Sequence, residues 1–280
     1  MSEIVKKGAM QYVSYITENI PQTNGEKINY YFSGSIAMIL LSTAKKIKPV
    51  TFDSNAEILN NSPEIEVSDD AKQSFSNGVR QLSSDVDIVE AVEGSFMNGS
   101  TGKIYNLGAV RNNCNLASSL CPAWERINGT MYFDVLSHDR EITGHNVTIL
   151  ELENGKKVLV TNPIDLMVHK FSEMLVINLS REKLAQKYDK DVKDLSCLFN
   201  GIAKLGMIPE NFKSYLENLI QINKSSTVNN LQYKDFSERL SKILEDVMPH
   251  IEKDSKEIFN KLIEDTKTFN QEQLSKTMQN

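Results

Sequence analysis

The chain has 280 residues, of which 40% are hydrophobic and 24% charged, with a net charge of −6; it is long enough for one large domain or two modest ones around a sizeable core. The acidic balance argues against a general electrostatic coat for nucleic acid, and the longest apolar stretch, Ile36 to Leu41, is too short to span a bilayer. The three scattered cysteines, Cys114, Cys121 and Cys197, include no CxxC pair, so they read as reduced, packed thiols and not as a disulfide framework or a closed zinc site.

The elements follow in chain order. Residues 3–20 carry apolar Ile4, Met10, Tyr12, Val13 and Ile16 at helical spacing. This segment is an amphipathic helix and not a hydrophobic signal core, so a cytoplasmic protein is expected. Ile28 to Phe32 reads as a short strand, Ser33-Gly34-Ser35 as a tight turn, and Ile36 to Ala44 as a buried helix. Residues 45–80 form the least regular stretch, with Asn60-Asn61-Ser62-Pro63 and Asp69-Asp70. They read as an insertion or long loop with room for one short helix. Strands are expected at about 85–92, 103–107, 131–136, 146–152 and 157–160. At Asn162-Pro163 the period changes. Proline suits the first helical position, with Asn162 as its cap, and everything beyond reads as helices, broken at Pro209 and in the Asn/Ser-rich residues 223–230. In the tail, Phe236, Leu240, Ile243, Leu244 and Val247 mark a packing face.

The residues that point to chemistry lie in Leu82-Ser-Ser-Asp85-Val-Asp87-Ile-Val89. Alternate strand positions share a face, so Asp85 and Asp87 point one way while Val86 and Ile88 point into a core. Two adjacent carboxylates repel unless a cation lies between them. Mg²⁺ (or Mn²⁺) suits such a pair, because it takes a few carboxylate oxygens and then substrate phosphates. Asp134 sits in a further strand-like run, Met131 to Leu136, where an aspartate is costly unless paired or metal-bound. Gly34-Ser35 falls between a strand and an apolar helix, where the backbone can approach phosphate and the helix end offers free N–H groups. The plain alternative for the aspartates is a buried, hydrogen-bonded structural role. His138 and His145 flank Asp139 with no tetrahedral ligand spacing, and Trp124 reads as packing under a loop.

Gly-Ser, a helix, an Asp-x-Asp strand and a later third carboxylate together resemble the nucleotidyltransferase fold shared with DNA polymerase beta, at Gly34, Ser35, Asp85, Asp87 and Asp134. Asp85 follows Ser35 by about fifty positions, a wider interval than the family's usual one, and the excess coincides with residues 45–80. Lys190-Asp191-Val-Lys-Asp194-Leu195, the helix from Asn162 to Lys170, and Arg80-x-Leu-Ser-Ser-Asp-Val-Asp resemble motifs of AbiEii-type nucleotidyltransferases, the toxins of abortive-infection systems. The resemblance implies an α+β fold, with a nucleotidyltransferase-like mixed sheet and flanking helices over residues 1–161 (insertion about 45–80) and a helical domain over 162–280. It implies an enzyme that moves a nucleoside monophosphate from a nucleoside triphosphate to an acceptor, tRNA or protein. Asp85, Asp87 and Asp134 would be catalytic and metal-binding; Gly34, Ser35, Lys170, Asp191 and Asp194 would bind nucleotide. A neighbouring antitoxin protein would be a partner, and no membrane is involved. A small-molecule, antibiotic-type transferase and an inactive nucleotidyltransferase-like binding domain remain as alternatives. For Lys170 the competing reading is a surface pair with Glu173, and for Asp191 and Asp194 a solvated face beside Lys187, Lys190 and Lys193.

Overall fold

The computed structural model describes residues 3–19, 21–59, 62–78, 85–91, 104–106, 130–137, 146–176, 182–225 and 233–277. The chain divides into two compact units, Met1–Asn162 and Pro163–Asn280. It is an α+β protein with a mixed sheet in the first unit and helices in the second.

The first unit opens with helix α1 (Glu3–Asn19) and a small hairpin of β1 (Thr23–Asn24) and β2 (Lys27–Ile28). Then come β3 (Tyr30–Phe32), α2 (Gly34–Leu41), β4 (Ala44–Thr51), β5 (Ile65–Glu66), α3 (Asp69–Ser76) and β6 (Asp85–Glu90). The strands β7 (Ile104–Asn106), β8 (Thr130–Ser137), β9 (Asn146–Leu152) and β10 (Lys157–Thr161) complete it. Among the described residues the main sheet has eight strands in the order β5-β4-β9-β10-β3-β6-β8-β7. Its β10–β3 and β6–β8 pairs are parallel and the others antiparallel.

Aromatic and β-branched residues fill the central strands, and both faces are covered there. Tyr30, Tyr31 and Phe32 are all buried. Tyr31 packs with Val50, Phe52, Val89, Val147 and Leu159 on one side, while Tyr30 meets Phe32 edge to face at 5.7 Å between ring centroids. Helix α2 is apolar all round, with every residue from Ile36 to Leu41 buried, the pattern of a helix enclosed by its own unit.

Two expectations need correction. Helix α2 ends at Leu41 and not at Ala44. The Ser42 hydroxyl donates to Ile39 O at 2.7 Å and the Thr43 hydroxyl to Leu40 O at 2.9 Å, so side chains satisfy carbonyls that another turn would have used. Residues 45–51 are not an insertion. They belong to β4, which pairs with β9 from Ala44 to Thr51 and with β5 at Lys46 and Ile47. A register shift between Ala44 and Lys46 breaks the alternation between buried Ala44 and Ile47, and Lys45, Lys46 and Lys48 hide the strand. The short helix allowed for in this region is α3, capped by Ser68, whose hydroxyl accepts from Ala71 N at 3.2 Å.

The second unit has helices and no strands among its described residues: α4 (Pro163–Val176), α5 (Glu182–Lys204), α6 (Lys213–Ser225), α7 (Tyr233–Val247) and α8 (Lys256–Thr277). Phe236, Leu240, Ile243, Leu244 and Val247 are buried as the pattern requires. Cys197 is buried, and burial pushes its thiol up to about 11, consistent with a packed, unreactive cysteine.

The end of the sheet core is closed by a side chain. Gln22 Nε2 donates to Leu159 O at 2.8 Å, and Leu159 N donates to Gln22 Oε1 at 2.8 Å. Strand β3 pairs with β10 only at Phe32 opposite Val160, so at Leu159 the Gln22 amide supplies the donor and acceptor a strand would have given. Gln22→Met keeps the side-chain length and removes both bonds, leaving a buried N–H and C=O unmet. It should cost about 2 kcal/mol, read as a lower urea midpoint at unchanged m-value.

Candidate functional site

The site begins where β3 ends. Phe32 pairs with Ile88 across the antiparallel β3–β6 ladder, and the next residue, Ser33, donates its N–H to Asp87 O at 2.9 Å. Ser33 is extended, with φ −131° and ψ −171°. Gly34 then takes φ +56°, a region open to glycine and costly to other residues. The chain thus turns out of the sheet directly over Asp87 and enters α2.

The contact is close. A Cβ at Gly34 would lie 1.7 Å from Asp87 Oδ2 and 2.8 Å from its carboxyl carbon. Only glycine leaves room for the carboxylate, so two requirements, a positive φ and an absent side chain, fall on one position. The carboxylate is thereby held at the first turn of α2, where N–H groups lack intrahelical partners and the dipole favours negative charge.

Strand β6 also runs parallel to β8 in a register that sets Asp87 opposite Asp134 and Asp85 opposite Tyr132. Paired positions share a sheet face, and neighbouring strands lie about 4.8 Å apart. Asp85, two positions before Asp87, falls on the same face. The backbone therefore gathers Gly34, Asp85, Asp87 and Asp134, although about fifty positions separate Gly34 from Asp85 and nearly as many separate Asp87 from Asp134. The side chains of Asp85 and Asp134 lie outside the described residues, so their convergence as a triad does too. So do Arg80, Cys114, Cys121, Trp124, His138 and His145. Among the described residues no group of three or more His, Cys, Asp or Glu is arranged to hold a metal ion.

One detail differs from the simple alternation expected for β6. Val89, two positions beyond Asp87, is as buried as Ile88. The face that carries the carboxylates is a core face farther along the same strand and turns acidic only where β3 has ended.

The remaining residues singled out in the sequence lie in the second unit and form a buried ionic group of their own. Lys170 on α4 donates to Asp191 Oδ1 on α5 at 2.9 Å and to Glu173 Oε2 at 3.3 Å. The pair with Glu173 thus forms together with a bond to the buried Asp191. The Asp191 and Asp194 side chains are each only 1% exposed, which excludes the solvated face. Lys190 approaches Asp194 at 3.9 Å. Burial works against the Lys170 charge, but Glu173, Asp191 and Asp194 together outweigh it and raise its pKa. Asp165, in the first turn of α4, is fully buried as well, and the sequence reading missed it. The buried face of α4 is broad: Asp165, Leu166, Met167, Val168 and Phe171 are buried and Ile164 only partly so. A carboxylate one turn from a proline start was the available signal, since acids favour that end of a helix.

Comparison with models of protein families, with curated proteins and with solved structures finds no match for this chain.

Two expected outcomes follow from this geometry. Gly34→Ala should lower stability by more than the roughly 1–2 kcal/mol of its φ, and the excess should disappear in an Asp87→Ala background. A double-mutant cycle on thermal midpoints measures that coupling. Lys170→Met should cost about 3 kcal/mol, because Asp191 would be left as an uncompensated buried charge; chemical denaturation at neutral pH reads it. The folded Lys170 pKa is raised, so its contribution is complete below the unfolded lysine value of about 10.4. It fades as pH climbs above that value, and the gap between parent and Lys170→Met should narrow only in strongly alkaline solution.

Proposed function

We propose that the chain is a metal-dependent nucleotidyltransferase that moves a nucleoside monophosphate from a nucleoside triphosphate to a hydroxyl of an RNA or protein acceptor. The observation that carries this reading is the register of Asp87 against Asp134, with the Asp87 carboxylate lodged against Gly34 at the head of α2. Two carboxylate positions one strand spacing apart repel unless a cation lies between them. The glycine keeps free the volume in which Asp87 must sit. Mg²⁺ or Mn²⁺ fits this donor set, which is all oxygen and anionic.

Asp85 and Asp87 would hold the cation in this reading, and when bound it would supply positive charge toward the phosphates. The turn at Gly34-Ser35 lets phosphate approach the backbone at the start of α2, where the helix dipole favours it. Asp134 takes the proton from the acceptor hydroxyl. A bond forms between that oxygen and the α-phosphorus, the bond from the α-phosphorus to the β-bridging oxygen breaks, and pyrophosphate leaves with the electron pair. Lys170, already neutralised by Asp191 and Glu173, sets the shape of the helical unit and contributes less to phosphate charge than an unpaired lysine would. The resemblance to toxin-type enzymes points to a macromolecular acceptor and to a protein antitoxin as partner. No described helix is long and apolar enough to cross a membrane.

The test uses the full chain with each α-phosphate-labelled nucleoside triphosphate, Mg²⁺ and total RNA, followed by separation of RNA from protein. Label should appear in one macromolecule with one preferred nucleotide. Asp87→Asn keeps the shape and removes the charge, so transfer should fall by at least about 10²-fold with the thermal midpoint nearly unchanged. Absence of label with all four nucleotides, or full transfer by Asp87→Asn, overturns the reading.

A further inference from the structure

The second unit carries an open cleft of about 340 Å³ that no part of the proposed chemistry uses. Its floor is apolar. Phe212 and Leu262, both buried, and Ile258, Ile208 and Pro209 form it. One wall is a single face of α8, because Glu257, Ile258, Lys261, Leu262 and Asp265 recur at helical spacing. The opposite wall is the C-terminal end of α5. There Gly206 takes φ +67° and donates its N–H to Ala203 O at 3.0 Å, while Met207 N donates to Ile202 O at 3.1 Å. This is the usual glycine termination of a helix, and it sets the negative end of a helix dipole at the cleft.

Charge at the mouth is predominantly negative. Glu210, Glu257 and Asp265 line it against a lone Lys261. Among the described residues none of the three acids has an ion-pair partner, whereas the nearby lysines are committed elsewhere. Lys204 is bound to Glu252, and Lys213 to Glu272 at 2.5 Å. An apolar floor, an acidic rim and a helix C-terminus all favour a ligand that is apolar at its centre and cationic at its edge. The volume lies at the low end for small-molecule sites and suits one large apolar side chain.

We propose that this cleft docks a short basic segment of a partner protein, seating one leucine or phenylalanine side chain between Phe212 and Leu262 while flanking lysines or arginines meet Glu210, Glu257 and Asp265. The inference is independent of Asp87 and of nucleotide chemistry.

The experiment is fluorescence anisotropy of the full chain with a labelled hexapeptide of sequence Lys-Arg-Leu-Phe-Arg-Lys. An acidic counterpart, Glu-Asp-Leu-Phe-Asp-Glu, and an alkyltrimethylammonium salt below its micelle concentration are run beside it. The basic peptide should bind saturably and weaken as ionic strength rises. Glu257→Gln with Asp265→Asn should weaken it at least about tenfold. Ala203→Leu, which fills the cleft from α5 and keeps helix propensity, should do the same. The charge variants change surface groups without pairs, so they retain the fold and keep the test valid if Ala203→Leu does not fold. Binding of both peptides alike, binding of the alkylammonium without the basic peptide, undiminished affinity in the charge variants, or no saturable binding overturns the proposal.

Discussion

The contact between Gly34 and Asp87 fixes more of the first unit than any other. It sits where β3 ends, α2 begins and β6 passes beneath, so the position of one carboxylate specifies the exit of the chain from the sheet. The Ser33 N–H bond to Asp87 O continues the ladder for one residue past the strand. Glycine's positive φ then turns the backbone up into a helix that is buried on every side. A buried helix cannot slide or rotate without breaking its packing, so its first turn is held over the acid. The site is rigid because the core is rigid.

The same logic places the second acid. Parallel pairing of β6 with β8 needs a long connection, and the register that results is set by apolar residues on either side of the aspartates, not by the aspartates themselves. The ladder continues past the acids with Ile88 opposite Val135 and Val89 opposite Leu136, and a one-residue slip would send the buried Ile88 and Val89 to the wrong faces. Asp87 and Asp134 are then carried into opposition at a cost that hydrophobic pairing offsets. Asp87 is only partly buried, whereas Val89 two positions on is buried, so the Asp87 charge can still be solvated or liganded.

Much of this was legible in the sequence. The strand limits at 146–152 and near 157–160, the start of helix at Pro163 and the amphipathic stripe from Phe236 to Val247 rest on clean periodicity, and the folded chain keeps them. Residues 44–51 were opaque because their buried positions, Ala44, Ile47 and Val50, do not alternate and three lysines lie between them. The end of α2 was misjudged because two hydroxyls stop it and no glycine or proline marks the place. In the candidate site, the types and order of Gly34, Asp85, Asp87 and Asp134 were readable. That Asp87 lies against Gly34 and level with Asp134 was not, since both depend on long-range register. The buried ionic group of Lys170 and Asp191 shows the opposite limit: spacing placed Asp191 and Asp194 on one helix face, but their burial depends on how α4 packs against α5, which spacing within one helix does not show.

Strand β4 bears on how the molecule avoids its own kind. Its outer side pairs with β5 at Lys46 and Ile47, with Val67 N donating to Lys45 O at 2.8 Å, and farther along Thr51 O accepts from Leu59 N at 2.9 Å. Between those two covers lies Pro49, which has no N–H to offer, with Lys48 beside it. A visiting strand would find a missing donor and a positive charge along a bulged, twisted edge. Sheets left open at such a margin recruit neighbours and grow into aggregates, and proline and lysine at the margin are the usual defence. The residues that hid β4 from a reading of the sequence are thus the ones that keep separate copies of the sheet from joining.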